Sequence, residues 1–231
     1  MVLASAAIAG GEGWELTVPK EARAFKFGNS DLNGFVLVTP ETRFDEQAAQ
    51  GFVNIASLRG GGGQLPDPLT GTYVADQSDK PCEFRAKVPN CDYLVWLCSG
   101  KIVKPGRFLL KVNEQTLFDQ TPTLEQFEGE DYRYRCLREQ ALRQLERAWE
   151  YRVGRSHPVY LLETKVTNGV LSVVAANHFL AALIVMPKQE QAAFAKLTAT
   201  IREQRIQAFS KQFRPGPAAA KIEKQIGRAH V

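Results

Sequence analysis

The sequence predicts a mainly β protein: a jelly-roll β-sandwich carrying one inserted amphipathic helix and one C-terminal helix. Three observations carry this expectation. Short apolar stretches recur with a period of two, as in Cys82–Val88, where Phe84, Ala86 and Val88 alternate with Glu83, Arg85 and Lys87. Gly, Pro and Asn punctuate these stretches at short intervals, without internal repeat or strand–helix–strand alternation. The apolar spacing lengthens to three and four residues only over Asp131–Val153 and Gln189–Phe213.

Taken in order, Trp14–Val18 alternates and stops at Pro19, a first short strand. Ala24–Gly28 is a second, and the polar cluster Asn29–Gly34 turns the chain into Phe35–Val38, ended by Thr39-Pro40. The region Phe44–Ile55 is weaker, with Gly51–Val53 as its strand. Arg59–Pro81 reads as a long irregular loop. Its glycine run, Gly60–Gly63, lacks the following Gly-Lys-Ser/Thr and the strand-to-helix setting of a phosphate loop, so a flexible loop is the expectation.

Cys82–Gly100 reads as the central hairpin, turning at Pro89-Asn90-Cys91-Asp92. Its second arm, Tyr93–Ser99, is apolar on both faces and is expected to lie deeper than the first. Arg107–Val112 and Gln115–Phe118 flank a turn at Asn113-Glu114. In Asp131–Val153, Leu137, Ala141, Leu142, Leu145, Ala148 and Trp149 mark a helix face, and Gly154 is a candidate C-cap. Arg133, Arg135, Arg138, Arg143, Arg147 and Arg152, interleaved with Glu139, Glu146 and Glu150, read as an ion-paired solvent face. A groove for an anionic polymer is the sharper alternative. Val159–Val166 and Val170–Val174 surround Asn168-Gly169, a strong short hairpin signal. Ala181–Val185 closes the roughly nine strands expected, and the final helix carries Phe194, Leu197, Ile201, Ala208 and Phe209 on one stripe until Arg214-Pro215-Gly216-Pro217 breaks it.

The 231 residues suffice for one all-β domain or two small ones. A hydrophobic content of 44% and a charged content of 23% are ordinary for a soluble chain. The net charge of +4 is concentrated in the C-terminal third, which argues for helix faces and against a nucleic-acid partner. No apolar run approaches the roughly 20 residues of a membrane span.

The organisation expected is an N-terminal segment 1–13, a sandwich over 14–187 with a helical insertion at about 122–156, a C-terminal helix over 188–213 and a tail over 214–231. Met1–Gly10, with Ala4-Ser5-Ala6, reads either as the remnant of a secretory signal or as a disordered N-terminal run or internal start. Ile226–Val231 matches the translation of a common sequencing-adapter string and is expected to be an artefact, so His230 carries no functional weight. The cysteines Cys82, Cys91, Cys98 and Cys136 have no C-x-x-C spacing, which argues against zinc. If Val88 pairs with Tyr93, Glu83 faces Cys98, and a Cys82–Cys98 disulfide needs a register shift. Free buried thiols are the preferred expectation.

Three motifs together resemble a known family. These are Phe25-Lys26-Phe27-Gly28 followed by Val38-Thr39-Pro40-Glu41-Thr42 and Gly51-Phe52; then Val88-Pro89-Asn90-Cys91-Asp92-Tyr93-Leu94-Val95, similar to a "V-P-N-G-D-Y" hairpin; then Val166-Thr167-Asn168-Gly169-Val170-Leu171-Ser172-Val173. The chain thereby resembles the galactose-binding-like or malectin-like β-sandwich found beside secreted esterases and lyases of plant or algal polysaccharides. The likeness covers about residues 14 to 187, interrupted at 122 to 156. Cys91 departs from it by standing where the family favours Gly, and the long inserted helix lies outside the basic module.

The resemblance implies a non-catalytic carbohydrate-binding or accessory module of a larger secreted or periplasmic, bacterial, polysaccharide-active protein. The alternatives are a structural domain docking a neighbouring catalytic domain, or the N-terminal fragment of a carbohydrate esterase or lyase. Sugar binding calls for an aromatic face and polar groups for the hydroxyls. Tyr73, Arg59 and Asp76 on the long loop, with Asn29 and Asp31 on the early turn, are the candidates, set against a role as solvated turn residues. Asp67, on the same long loop, is a further candidate. Trp14, Trp96 and Trp149 fall in strand or helix patterns and read as core. His157 and His178 lack a motif-spaced nucleophile or ligand, and no Gly-x-Ser-x-Gly or His-Glu-x-x-His occurs. No catalytic residue and no cofactor are expected. Structural calcium is compatible with the loop carboxylates but has no ligand spacing behind it.

Overall fold

A computed structural model describes residues 14, 16–45, 47–62, 65, 67–78, 80–101, 105–128 and 144–213. Among them are strands β1 (Arg23–Phe27), β2 (Val36–Val38), β3 (Gln50–Phe52), β4 (Leu58–Gly62), β5 (Thr72–Asp76), β6 (Cys82–Lys87), β7 (Asp92–Lys101), β8 (Phe108–Val112), β9 (Gln115–Gln120), β10 (Val159–Lys165), β11 (Val170–Ala176) and β12 (His178–Pro187). The helical elements are a short α1 (Leu124–Gln126), α2 (Leu145–Trp149) running into a π-helical turn over Glu150–Gly154, and the long α3 (Gln191–Gln212).

The strands form two sheets. The first runs β10-β7-β12-β1-β2, with β5 alongside the start of β12 and β4 outside β5; the second runs β3-β6-β11-β8-β9. Every strand pair is antiparallel except β1 with β2. The fold is a mainly β sandwich with a short helix and a C-terminal helix, as the alternation predicts.

The position of each strand follows from its side chains. On β6, Phe84 and Ala86 turn inward while Glu83 and Arg85 face water as a bidentate ion pair, with Ser172 Oγ donating to the same carboxylate at 2.7 Å. Such a strand suits a sheet with one wet face. On β7, Tyr93, Val95 and Leu97 fill the core between the sheets, and Leu94, Trp96 and Cys98 enter a second apolar layer outside. A strand buried on both faces must sit centrally, and β7 lies between β10 and β12. The second layer is closed by α3, through Phe194, Leu197 and Ile201. At the centre of the first layer Phe25, Phe27, Phe52 and Phe84 meet with ring centroids 5.0 to 6.0 Å apart, mostly edge to face.

Several expectations are corrected. Cys82–Gly100 is not a hairpin: β6 and β7 belong to different sheets, because one arm has a wet face and the other has none. The arms around Asn168-Gly169 part in the same way, β10 pairing with β7 and β11 with β6. Both connections are corners, and they are stitched together. Val88 N–H donates to Gly169 O at 2.9 Å, Gly169 N–H to Asn90 Oδ1 at 2.7 Å and Val166 N–H to Cys91 O at 2.9 Å. Gly169, at φ 76°, turns its corner in a left-handed conformation that favours glycine. Cys82 and Cys98 stand in opposite sheets and different layers, and with Cys91 they are free thiols. Cys136 lies outside the described residues.

The stretch Arg59–Pro81 contains two paired strands, β4 and β5, with Gly60–Gly62 inside the first. The glycine at position 61 has a packing reason: a Cβ there would run into the Tyr73 ring. Trp14–Val18 is not a strand, because β1 already has β12 and β2 on its two sides. Its alternation reflects Leu16, Trp14 and Val18 packing onto the outer layer. Residues 131–143 of the inserted helix, with Arg133, Arg135, Arg138 and Arg143, lie outside the described residues. On α3 the buried stripe is Phe194, Leu197, Ile201, Arg205 and Phe209, with an arginine where apolar spacing had suggested none.

Candidate functional site

The outer layer opens into a cleft where β10, at the sheet edge, meets the π-helical turn and α3. It encloses about 450 Å³, within the range of small-molecule sites. Trp96, Val159, Leu161 and Ile201 give it apolar walls, and Trp149, Glu150, Arg202 and Arg205 add an indole and three charges. Val159 and Leu161 point outward from the edge strand and stay 36% and 62% exposed. Helix α3 supplies the arginines because Arg202 and Arg205 are three residues apart on one helical face. Their guanidinium carbons lie 5.7 and 5.6 Å from the Trp149 ring centroid, both as cation–π contacts. Trp149 is anchored in turn by a small cluster with Ala148, Val153 and Phe209. Glu150 folds back over Gly154.

The two arginines differ in environment. Arg202 is exposed, whereas Arg205 is 2% exposed and makes a 3.5 Å ion pair with Asp67, itself 1% exposed. Asp67 also accepts from Thr70 N–H at 3.1 Å and Thr70 Oγ1 at 2.6 Å, and Arg205 donates to His157 O at 3.4 Å. Burial works against the Arg205 charge, but the Asp67 and Glu150 carboxylates outweigh it and hold the guanidinium above its ordinary value. Beside this pair Lys26, fully buried on β1, donates to Phe27 O and Thr72 O at 2.6 Å and to Thr72 Oγ1 at 2.8 Å. Burial pulls its ammonium down to about 7, against the opposing influence of Asp67. Burial likewise pushes the Cys98 thiol up to about 11, so this sulfur is a neutral packing group.

The residues singled out from the sequence are placed as follows. Asn29 is exposed after β1, with its amide packed against Gly60 of β4, and Asp31 is exposed and accepts from Leu32 N–H at 2.8 Å. Arg59, exposed on β4, donates to Leu58 O at 2.7 Å. Tyr73 is half-buried on β5, its ring across Gly61 and 4.6 Å from Phe179. Asp76 is buried at the end of β5 and accepts from Ser57 Oγ at 2.9 Å and Ser78 N–H at 2.6 Å. The fold thus brings Asn29 to the β4–β5 hairpin that carries Arg59 and Tyr73, while Asp31 and Asp76 serve local turns. Arg202, Arg205 and Lys26 were not singled out. The signal for Arg205 is its place in the four-residue steps Leu197, Ile201, Arg205 and Phe209, which put it on the buried face. Among the described residues no group of three or more His, Cys, Asp or Glu is placed to hold a metal ion.

No family model and no curated protein matches the sequence. Solved structures similar in shape include the Bacillus subtilis protein YxiM, at 16% identity and TM-score 0.47, over 72% of this chain and 40% of that one. The ANXUR2 extracellular domain of Arabidopsis thaliana is similar at 13% identity and TM-score 0.40, over 72% and 41%. A family 35 carbohydrate-binding module of Clostridium thermocellum is similar at 9% identity and TM-score 0.31, over 60% and 92%. The chain spans about two fifths of the Bacillus and Arabidopsis proteins. No helix among the described residues is long and apolar enough to cross a membrane.

Proposed function

We propose that this chain is a non-catalytic carbohydrate-binding module, spanning residues 14–213, of a larger secreted protein that acts on polysaccharides. The observation that carries the reading is the cleft: a concave site of about 450 Å³ that combines apolar walls with guanidinium and carboxylate groups at its rim. Sugars present the same mixture, C–H faces for apolar surface and hydroxyls for charged and polar groups. Exposed Asn29 and Arg59 beside the half-buried Tyr73 on the β4–β5 hairpin offer a second contact surface for a long glycan, with exposed Asp31 on the preceding turn and Asp76 fixing the end of β5. Affinity electrophoresis of the purified chain through gels containing a panel of plant polysaccharides tests this. Retardation by at least one polysaccharide is expected, and equal mobility in all gels overturns it.

A second reading is favoured by Val159 and Leu161, exposed on the outer face of the edge strand β10. Apolar side chains on an edge strand suit a packing surface for a neighbouring domain of the same protein. Expressing the chain with the domain that adjoins it in the full-length gene, and measuring protection of β10 amides by hydrogen exchange, separates the two.

A further inference from the structure

We propose that the cleft between β10, the π-helical turn and α3 binds an acidic sugar residue, with the Arg202 guanidinium taking its carboxylate. This rests on the carbohydrate reading above and narrows it to uronate-bearing glycans.

The charge pattern of the cleft leads there. Arg205, at the floor, is matched by Asp67 at 3.5 Å, and Glu150 lies close enough to reinforce the Arg205 charge. Arg202, at the mouth, has its cation–π contact with Trp149 and no carboxylate partner among the described residues. The cleft therefore holds at its mouth a guanidinium that makes no ion pair among the described residues, beside apolar walls, with Glu150 on the π-helical turn balancing the overall charge. A uronate ring has the complementary form, a planar carboxylate at one edge and an apolar C–H face. A guanidinium can grip that carboxylate through two parallel N–H···O bonds, and stacking on an indole holds its fork in one plane before the ligand arrives. Leu161 and Val159, exposed on the opposite wall, are placed to take the ring face. A neutral sugar would fill the volume and leave the Arg202 fork without a bidentate acceptor.

Titration calorimetry of the full chain with trigalacturonate, galactotriose and hexaglutamate tests the assignment, on the wild type and on Arg202→Met and Leu161→Asp. Arg202 and Leu161 are exposed, and unchanged melting temperatures will confirm that the variants fold. Trigalacturonate is expected to bind at least tenfold more tightly than galactotriose, and each variant to weaken it at least tenfold. Saccharide binding unchanged in Arg202→Met overturns this inference and leaves the carbohydrate reading standing, with its site elsewhere. Binding of no saccharide, in calorimetry and in the polysaccharide gels alike, overturns both. Hexaglutamate bound as tightly as trigalacturonate overturns the sugar assignment in favour of an acidic peptide.

Discussion

At the scale of single residues, the inner core depends on aromatic side chains that touch one another. Phe84 meets Phe25, Phe27 and Phe52 at 5.0 to 5.7 Å and is fully buried, so Phe84→Ala leaves a large void that its ring neighbours cannot refill. A loss of about 3–5 kcal/mol in urea unfolding is expected. Gly61 is constrained by approach, since any side chain there meets the Tyr73 ring. Gly61→Ala should cost about 1–3 kcal/mol, and the double change with Tyr73→Ala should cost less than the sum of the single ones. Of these two residues the sequence disclosed only part. Phe84 sat on an alternating face and was legible as core. The glycines looked like a flexible run because their reason lies on a neighbouring strand, where one-dimensional spacing cannot show it.

At the scale of elements, α3 is held by apolar contacts and by one buried ion pair. Asp67→Asn leaves Arg205 as a buried charge without its counter-ion and should destabilise by about 3–5 kcal/mol, whereas replacing both with apolar residues of similar volume should cost much less. Lys26 gives the same region a pH dependence. Its ammonium titrates at about 7 when folded against an ordinary value of 10.5. Between these values the unfolded chain binds a proton that the folded chain does not, so stability rises with pH across this window. A gain of about 1.5 kcal/mol from pH 7 to pH 8.5 is expected in urea unfolding. Lys26→Met should abolish that slope. Above pH 9 the trend reverses, because burial pushes the Cys82 and Cys98 thiols up to about 12 and 11, and the unfolded chain releases protons that the folded one keeps. The elements themselves were largely legible: β1, β2, β6 to β9, β10, β11 and α3 all fall within a few residues of their expected places. Partnership was not legible. Local alternation reports which face of a strand is buried, and it is silent on which strand lies beside it. A strong Asn-Gly turn signal was therefore compatible with a corner as well as a hairpin.

At the scale of the whole molecule, the cleft had no linear signature, since its walls come from β7, α2, the π-helical turn, β10 and α3, each read in the sequence as scaffold. The proposed glycan binding belongs to this scale, and the calorimetric and gel experiments above test it. The two stitched corners carry a further consequence, for the order in which the chain can assemble during synthesis. Strand β12 lies between β7 and β1, and β11 between β6 and β8, so the two strands that complete both sheets are made after all the other described strands. Until they emerge, everything from β1 to β9 exists as separate strips: β7 alone, β1 with β2, β4 with β5, β3 with β6, and β8 with β9. A nascent chain ending after β9 should lack a cooperative unfolding transition and exchange its amides freely. Adding the complementary piece that carries β10 to α3 should restore both, as two halves of a clasp that hold only when the last is pushed home.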